Sequence, residues 1–130
     1  MRLWHEDLIS KLPRQQLLGQ HREICALRGN GWGKPHATVN YVFKYSPAML
    51  YFYHELVMCE MMHRGYKVEP KWNIATYRGK ECEPYKTDKD LWINDIENLN
   101  SDIIYPEHNN EYLQECLNNL KDKGIEIKIA

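Results

Sequence analysis

The residues of this 130-residue chain best suited to chemistry are the adjacent Arg22 and Glu23, a cation beside a carboxylate, within the run QQLLGQHREICALR from Gln15 to Arg28. At 3.6 residues per turn, Leu17, Leu18, Ile24, Cys25 and Leu27 fall broadly on one side, and Gln16, Gly19, Gln20 and Glu23 on another. The pattern predicts an amphipathic helix with Glu23 on a polar stripe. A carboxylate held there is suited to stabilising a developing cation or moving a proton; the plain alternative is a solvated surface acid. Gly19 lies one turn before Glu23 and weakens a helix interior by about 1 kcal/mol relative to Ala. Its presence suggests a close approach to the backbone there, by a neighbouring helix or by a flat substrate that would then reach Glu23.

Other chemistries have less support in the spacing. His36, His54, His63 and His108, with Glu60 and Glu107, offer metal-ligand types, but no pair has the spacing of HExxH and no two His or Cys residues form a knuckle. No metal or other cofactor is expected. There is no GxSxG nucleophile motif, and a Cys25–His21 pair one helical turn apart reads as a core thiol beside a surface imidazole. Gly29-Asn30-Gly31-Trp32-Gly33 lacks the spacing of a phosphate or dinucleotide loop and reads as a turn.

Three helices are predicted to position these residues. The first has Pro13 in its opening turn and closes at Gly29-Asn30-Gly31 after Arg28. The second starts with Ser46 as N-cap and Pro47 as first residue and stops at Gly65; its broad belt of Met, Leu, Val and aromatic residues implies packing on more than one side. The third runs from about Pro106 to Lys123, ended by Gly124. The stretch between Gly31 and Tyr45 fits either a short helix or an extended segment. The long middle from Tyr66 to Tyr105 is expected to hold short helices or an extended excursion packed by Trp72 and Trp92. The fold class is all-α: a compact three-helix core with short additional helices and irregular connections, forming a single domain over residues 1–130.

A 43% hydrophobic and 12% aromatic composition supports a folded globule, and no apolar run is long enough to span a bilayer. The charged start MRLWHEDL and four scattered cysteines (Cys25, Cys59, Cys82, Cys116) point to a cytoplasmic protein with reduced thiols, expected to be a monomer with no membrane partner. The formal net charge is −1, yet residues 1–80 carry 12 Lys and Arg against 6 acids and the remainder 5 Lys against 12 acids. One surface can therefore be basic enough to meet phosphate although the whole is not.

The run from Leu12 to Glu23, with Leu17-Leu18 and His21-Arg22-Glu23, resembles the pyrimidine-dimer DNA glycosylases of the phage endonuclease V type. EMMHRGYKV (Glu60 to Val68) and YPEH (Tyr105 to His108) match that pattern in order. The resemblance implies a DNA-repair glycosylase with coupled AP lyase activity on damaged pyrimidines in duplex DNA, without cofactor. The α-amine of the first residue would be the nucleophile, here Met1, which Arg2 protects from removal. Glu23 would be the essential carboxylate. The candidate DNA-contacting set is Arg2, Arg14, Gln15, Arg22, Arg28 and Lys121. Ala26 stands where the family carries an arginine, and the ending IEIKIA lacks the family's aromatic tail, so the lesion stays open. The alternative is a non-catalytic helical nucleic-acid-binding or protein-interaction module of the same fold.

Overall fold

The computed structural model describes residues 2–36, 38–91 and 104–128. Within them lie α1 (Arg14–Arg28), α2 (Pro47–His63), the single turn α3 (Asp88–Leu91) and α4 (Asn110–Asp122), with 3₁₀ turns at Glu6–Lys11, Asn40–Lys44 and Pro70–Asn73. No strand occurs among the described residues, so the fold class is all-α as the patterning predicts.

Pro13 sits at the N-cap of α1, one residue before the predicted opening turn, and its carbonyl accepts the Leu17 N–H at 3.0 Å. The helix ends where backbone crowds backbone. A Cβ on Gly29 would lie 2.7 Å from the Arg78 carbonyl oxygen, and one on Gly31 2.8 Å from that of Ala26, so both positions require glycine. Ser46 occupies the N-cap of α2 but makes no side-chain cap hydrogen bond. Pro47, with its preset φ and no N–H to satisfy, suits the first helical position. Gly65, at φ +83°, stops α2 in a Schellman-type turn with the Tyr66 N–H on the Met61 carbonyl at 2.9 Å.

The apolar belt of α2 divides. Leu50, Tyr53, Val57, Met58 and Met61 are buried, whereas Phe52, Leu56 and Met62 are exposed among the described residues. Buried side chains of the N-terminal arm, α1, α2 and α4 form one cluster, in which each large aliphatic group contributes about 1.5–3 kcal/mol. The third long helix begins at Asn110 and not near Pro106. The Asn109 side chain accepts the Tyr112 N–H at 2.9 Å and so fixes the start, while Tyr105 to His108 forms a turn. That turn is tied to the chain's beginning, because the Glu6 carboxylate accepts the Ile104 and Tyr105 N–H groups at 2.7 and 3.2 Å.

Trp72 packs the middle segment: its ring meets Tyr77 edge-on at 4.8 Å, and the Arg28 guanidinium lies 5.0 Å from its centroid. Trp92 lies outside the described residues. Arg28 itself is buried and donates to the carbonyls of Trp72, Ile74 and Tyr77 at 2.8, 2.8 and 2.9 Å. Burial lowers its pKa to about 10, so it remains a cation at neutral pH, satisfied by backbone dipoles.

Candidate active site

α1 buries Leu17, Gln20, Ile24, Leu27 and Arg28. Gln20, assigned by the sequence pattern to the polar stripe, is thus in the buried one. It is only 1% exposed, and the physical reason is the N-terminal arm, which lies against this face and supplies polar partners. The Trp4 N–H donates to Gln20 Oε1 at 2.7 Å, and Gln20 Nε2 donates to the Arg2 carbonyl at 3.0 Å.

Glu23, one turn further on, is half-buried beside that arm. Burial raises its pKa above the ordinary carboxylate value, opposed by the charges of Lys123 and Arg22 and by the nearby Arg2 backbone. Together these describe a carboxylate partly stripped of water yet facing cations. It opens onto a cleft of about 280 Å³ lined by Arg2, Trp4, Glu23, Thr38, Asn119 and Lys123. A larger depression of about 830 Å³ between the Glu6–Lys11 turn and α2 is shallow and lined by Leu56, Cys59, Glu60 and His63 among others. The smaller cleft is the candidate site because its half-buried carboxylate faces Arg2 and Lys123; the larger depression holds Glu6, whose pKa burial also raises, but that carboxylate is taken up by the Ile104 and Tyr105 N–H groups.

Of the candidate residues, Arg2 and Glu23 meet in the cleft, with Arg2 also 3.4 Å from Glu115 and over the Tyr112 ring. Arg22 is exposed beside them. Lys121 is exposed on the neighbouring surface near Gln114 and Ile125, close along the chain to Lys123. Arg14 and Gln15 are exposed at the far end of α1, Arg14 over the Tyr66 ring; Glu23 is nine helical steps from Arg14, roughly 13–14 Å. Arg28 is turned inward and its donors are taken by carbonyls. Met1 lies outside the described residues. Lys123, Trp4, Asn119 and the buried Gln20 join the site without having been singled out as candidates; the only prior signal was Gln20 at i−3 from Glu23.

Gly19 now has a clearer meaning. A Cβ there would find only the Arg22 guanidinium, at 3.9 Å, an ordinary contact, so no neighbouring helix demands glycine. Gly19→Ala is therefore expected to raise stability by up to about 1 kcal/mol in thermal or urea unfolding. If a ligand lies over this turn, the same variant weakens DNA binding; unchanged affinity removes Gly19 from the binding surface.

His21, Cys25 and His54 bring three ligand-type atoms within 4.8 Å of one another, a group the sequence reading saw only as the His21–Cys25 pair. Arg28 Nη1 lies 2.9 Å from His54 Nδ1 and can only donate, which leaves the His54 proton on Nε2, 2.8 Å from His21 Nδ1. Burial, then neighbouring charge, lowers the pKa of both imidazoles, so they pair as neutral rings. As it stands the cluster is a hydrogen-bond chain running from Arg28 to His21. A metal there would have to displace the shared proton beside a guanidinium.

A protein-family model described as pyrimidine dimer DNA glycosylase matches residues 1–74, more than half of the chain. The chain belongs to the pyrimidine dimer DNA glycosylase family. Searches of curated proteins and of solved structures give no significant match. The family is one of DNA-repair glycosylases, and DNA is the substrate its name implies. The matched span contains the arm, α1 and α2, hence Arg2, Gln20 and Glu23; Asn119 and Lys123 of this glycosylase-family chain come from beyond it. No helix among the described residues is long and apolar enough to cross a membrane.

Proposed function

We propose that the chain excises damaged pyrimidines, photodimers foremost, from duplex DNA and then cleaves the strand through an imine formed by the α-amine of Met1. The observation that carries this reading is the meeting of Arg2 and Glu23 in one cleft, with the Gln20 amide bridging the Arg2 carbonyl at 3.0 Å and Glu23 Oε2 at 3.4 Å. Covalent geometry keeps an α-amine within roughly 3.6 Å of the next residue's amide nitrogen, so the nucleophile and the carboxylate belong to one site. An α-amine has an unperturbed pKa of about 7.7–8.0, against about 10.4 for Lys, and so keeps an appreciable neutral fraction near pH 7.

The neutral amine attacks C1′ of the damaged nucleoside, and the glycosidic bond breaks with its electron pair leaving on the base. Glu23 stabilises the positive charge that develops on the sugar. Ring opening and loss of the amine's proton give the imine. Removal of a C2′ proton then expels the 3′ phosphate, and water releases the enzyme. Damage that weakens pairing and stacking lowers the energy of extruding the nucleotide.

The test is borohydride reduction on an abasic duplex in EDTA, with the adduct mapped by peptide mass. A stable adduct on the N-terminal peptide is expected, together with strand nicking. Nicking without an adduct points to hydrolysis, and DNA binding with neither points to a non-catalytic module. Arg22, exposed beside Glu23, is the proposed phosphate contact. Arg22→Ala is expected to weaken binding across all sequences and reduce the slope of log affinity against log salt by about one, measured by fluorescence anisotropy.

A further inference from the structure

A primary amide with both ends buried is costly unless every donor and acceptor is satisfied. Gln20 meets that demand with four neighbours on three elements. Its Oε1 accepts from the Trp4 N–H at 2.7 Å and lies 3.0 Å from the Tyr53 hydroxyl; its Nε2 donates to the Arg2 carbonyl at 3.0 Å and faces Glu23 Oε2 at 3.4 Å. The amide's orientation is dictated, because a backbone N–H can only donate and a carbonyl only accept. Two tyrosines complete the hold: the Tyr112 hydroxyl donates to the Leu3 carbonyl and the Tyr53 hydroxyl meets the Trp4 carbonyl. Four backbone polar groups between Arg2 and Trp4 are thus fixed by side chains, where chain ends are usually loosely held.

Arm docking alone needs no contact with Glu23. Resting on the imine reading above, we infer that Gln20 is a positioning residue that sets the distance between the chain's α-amine and the Glu23 carboxylate, by gripping the arm on both sides of Leu3 while touching Glu23. Its role is to hold, while the α-amine and Glu23 act on the sugar. Its contribution is the alignment of the two groups that do, where a displacement of 1 Å can cost about 10²-fold in rate.

Gln20→Glu separates this role from a purely structural one. Ionised, the introduced carboxylate still accepts from the Trp4 N–H but offers no donor to the Arg2 carbonyl and sets a charge beside Glu23. Protonated, it restores an O–H donor and nearly the native shape. Burial beside another acid raises its pKa above the usual carboxylate range. The charged and titratable groups around this point are Arg22 and Glu23 on α1, Tyr53 on α2, the α-amine, Arg2 and His5 on the arm, and Tyr112, Glu115 and Lys123 on or just after α4. All of these are shared with the wild type, so the ratio of variant to wild-type rates isolates the introduced group.

The experiment measures borohydride trapping on an abasic duplex at saturating DNA from about pH 5 to about pH 8, spanning the range over which a raised carboxylate titrates. The expected ratio is about 10⁻² at the alkaline end, rising towards one as the pH falls, with DNA affinity unchanged at both ends. A pH-independent ratio, or affinity lost in step with trapping, overturns the inference. If Gln20→Glu fails to fold, Tyr112→Phe gives the same answer by freeing the Leu3 carbonyl: slower trapping at unchanged affinity supports the inference, and an unchanged rate overturns it. A wild-type adduct on the N-terminal peptide with a flat ratio overturns the positioning role alone. A wild-type adduct mapped elsewhere overturns the imine reading and the positioning role with it.

Discussion

Replacing Glu23 by Gln is expected to lower base excision and strand cleavage by about 10²-fold or more while DNA affinity holds or rises. Glutamine keeps the shape of the side chain and an acceptor for the Gln20 amide, 3.4 Å away, so the arm remains docked. What is lost is charge. Burial already holds this carboxylate above its ordinary pKa, and Lys123 and Arg22 oppose that shift, so the acid is poised between a counter-charge and a proton acceptor. Both uses arise only as the sugar becomes cationic or surrenders its proton, which confines the loss to the transition state. Removing a negative charge from a surface that meets phosphate does not weaken binding. Single-turnover rates on lesion-bearing and abasic duplexes, beside equilibrium affinities, make the comparison; an unimpaired variant returns Glu23 to the role of a solvated surface acid.

Adding one or two residues ahead of Met1 is expected to abolish borohydride trapping and leave DNA binding intact. Each extended residue displaces the amine by about 3.3–3.6 Å, beyond bonding distance from a sugar held over Glu23. The side-chain hold on Arg2, Leu3 and Trp4 prevents the arm from sliding back to compensate. Among the lysines, Lys123 is the rival nucleophile, because it lines the same cleft and its ammonium sits 5.3 Å from the Trp4 ring. It is solvent-exposed. Mass mapping of the trapped peptide distinguishes the two. Full trapping by the extended protein assigns the imine to a side chain.

The helices were legible because Pro13, Ser46-Pro47, Gly29, Gly65 and Gly124 mark boundaries by local backbone chemistry, and the apolar stripes of α1 and α4 follow the helical period. Asn109 supplied an equally local signal, but Pro106 lay in an eligible place and drew the predicted start four residues early. The Asn40–Lys44 turn was open between two readings because five residues hold too little periodicity to choose. In the site, Glu23 was readable from its neighbours on α1. Gln20 and Arg28 were not, since whether a polar side chain points outward or inward depends on partners distant in sequence: Trp4 and Tyr53 for Gln20, and His54, Trp72 and Ile74 for Arg28. Two positive side chains on one helix, Arg22 and Arg28, thus have opposite destinations, and composition cannot separate them.

The inward destination of Arg28 sets a limit on the chain's freedom to vary in length. Surface connections ordinarily absorb an inserted residue, because nothing counts the positions along them. Here one guanidinium does count them: its fork takes the carbonyls of Trp72, Ile74 and Tyr77, while Arg78 reaches back to the carbonyls of Arg28 and Gly29 at 3.0 and 3.2 Å. A single insertion or deletion between 72 and 78 would leave a buried cation facing the wrong atoms. The stretch is therefore indexed residue by residue to the end of α1, and length variation is confined to the connections outside it.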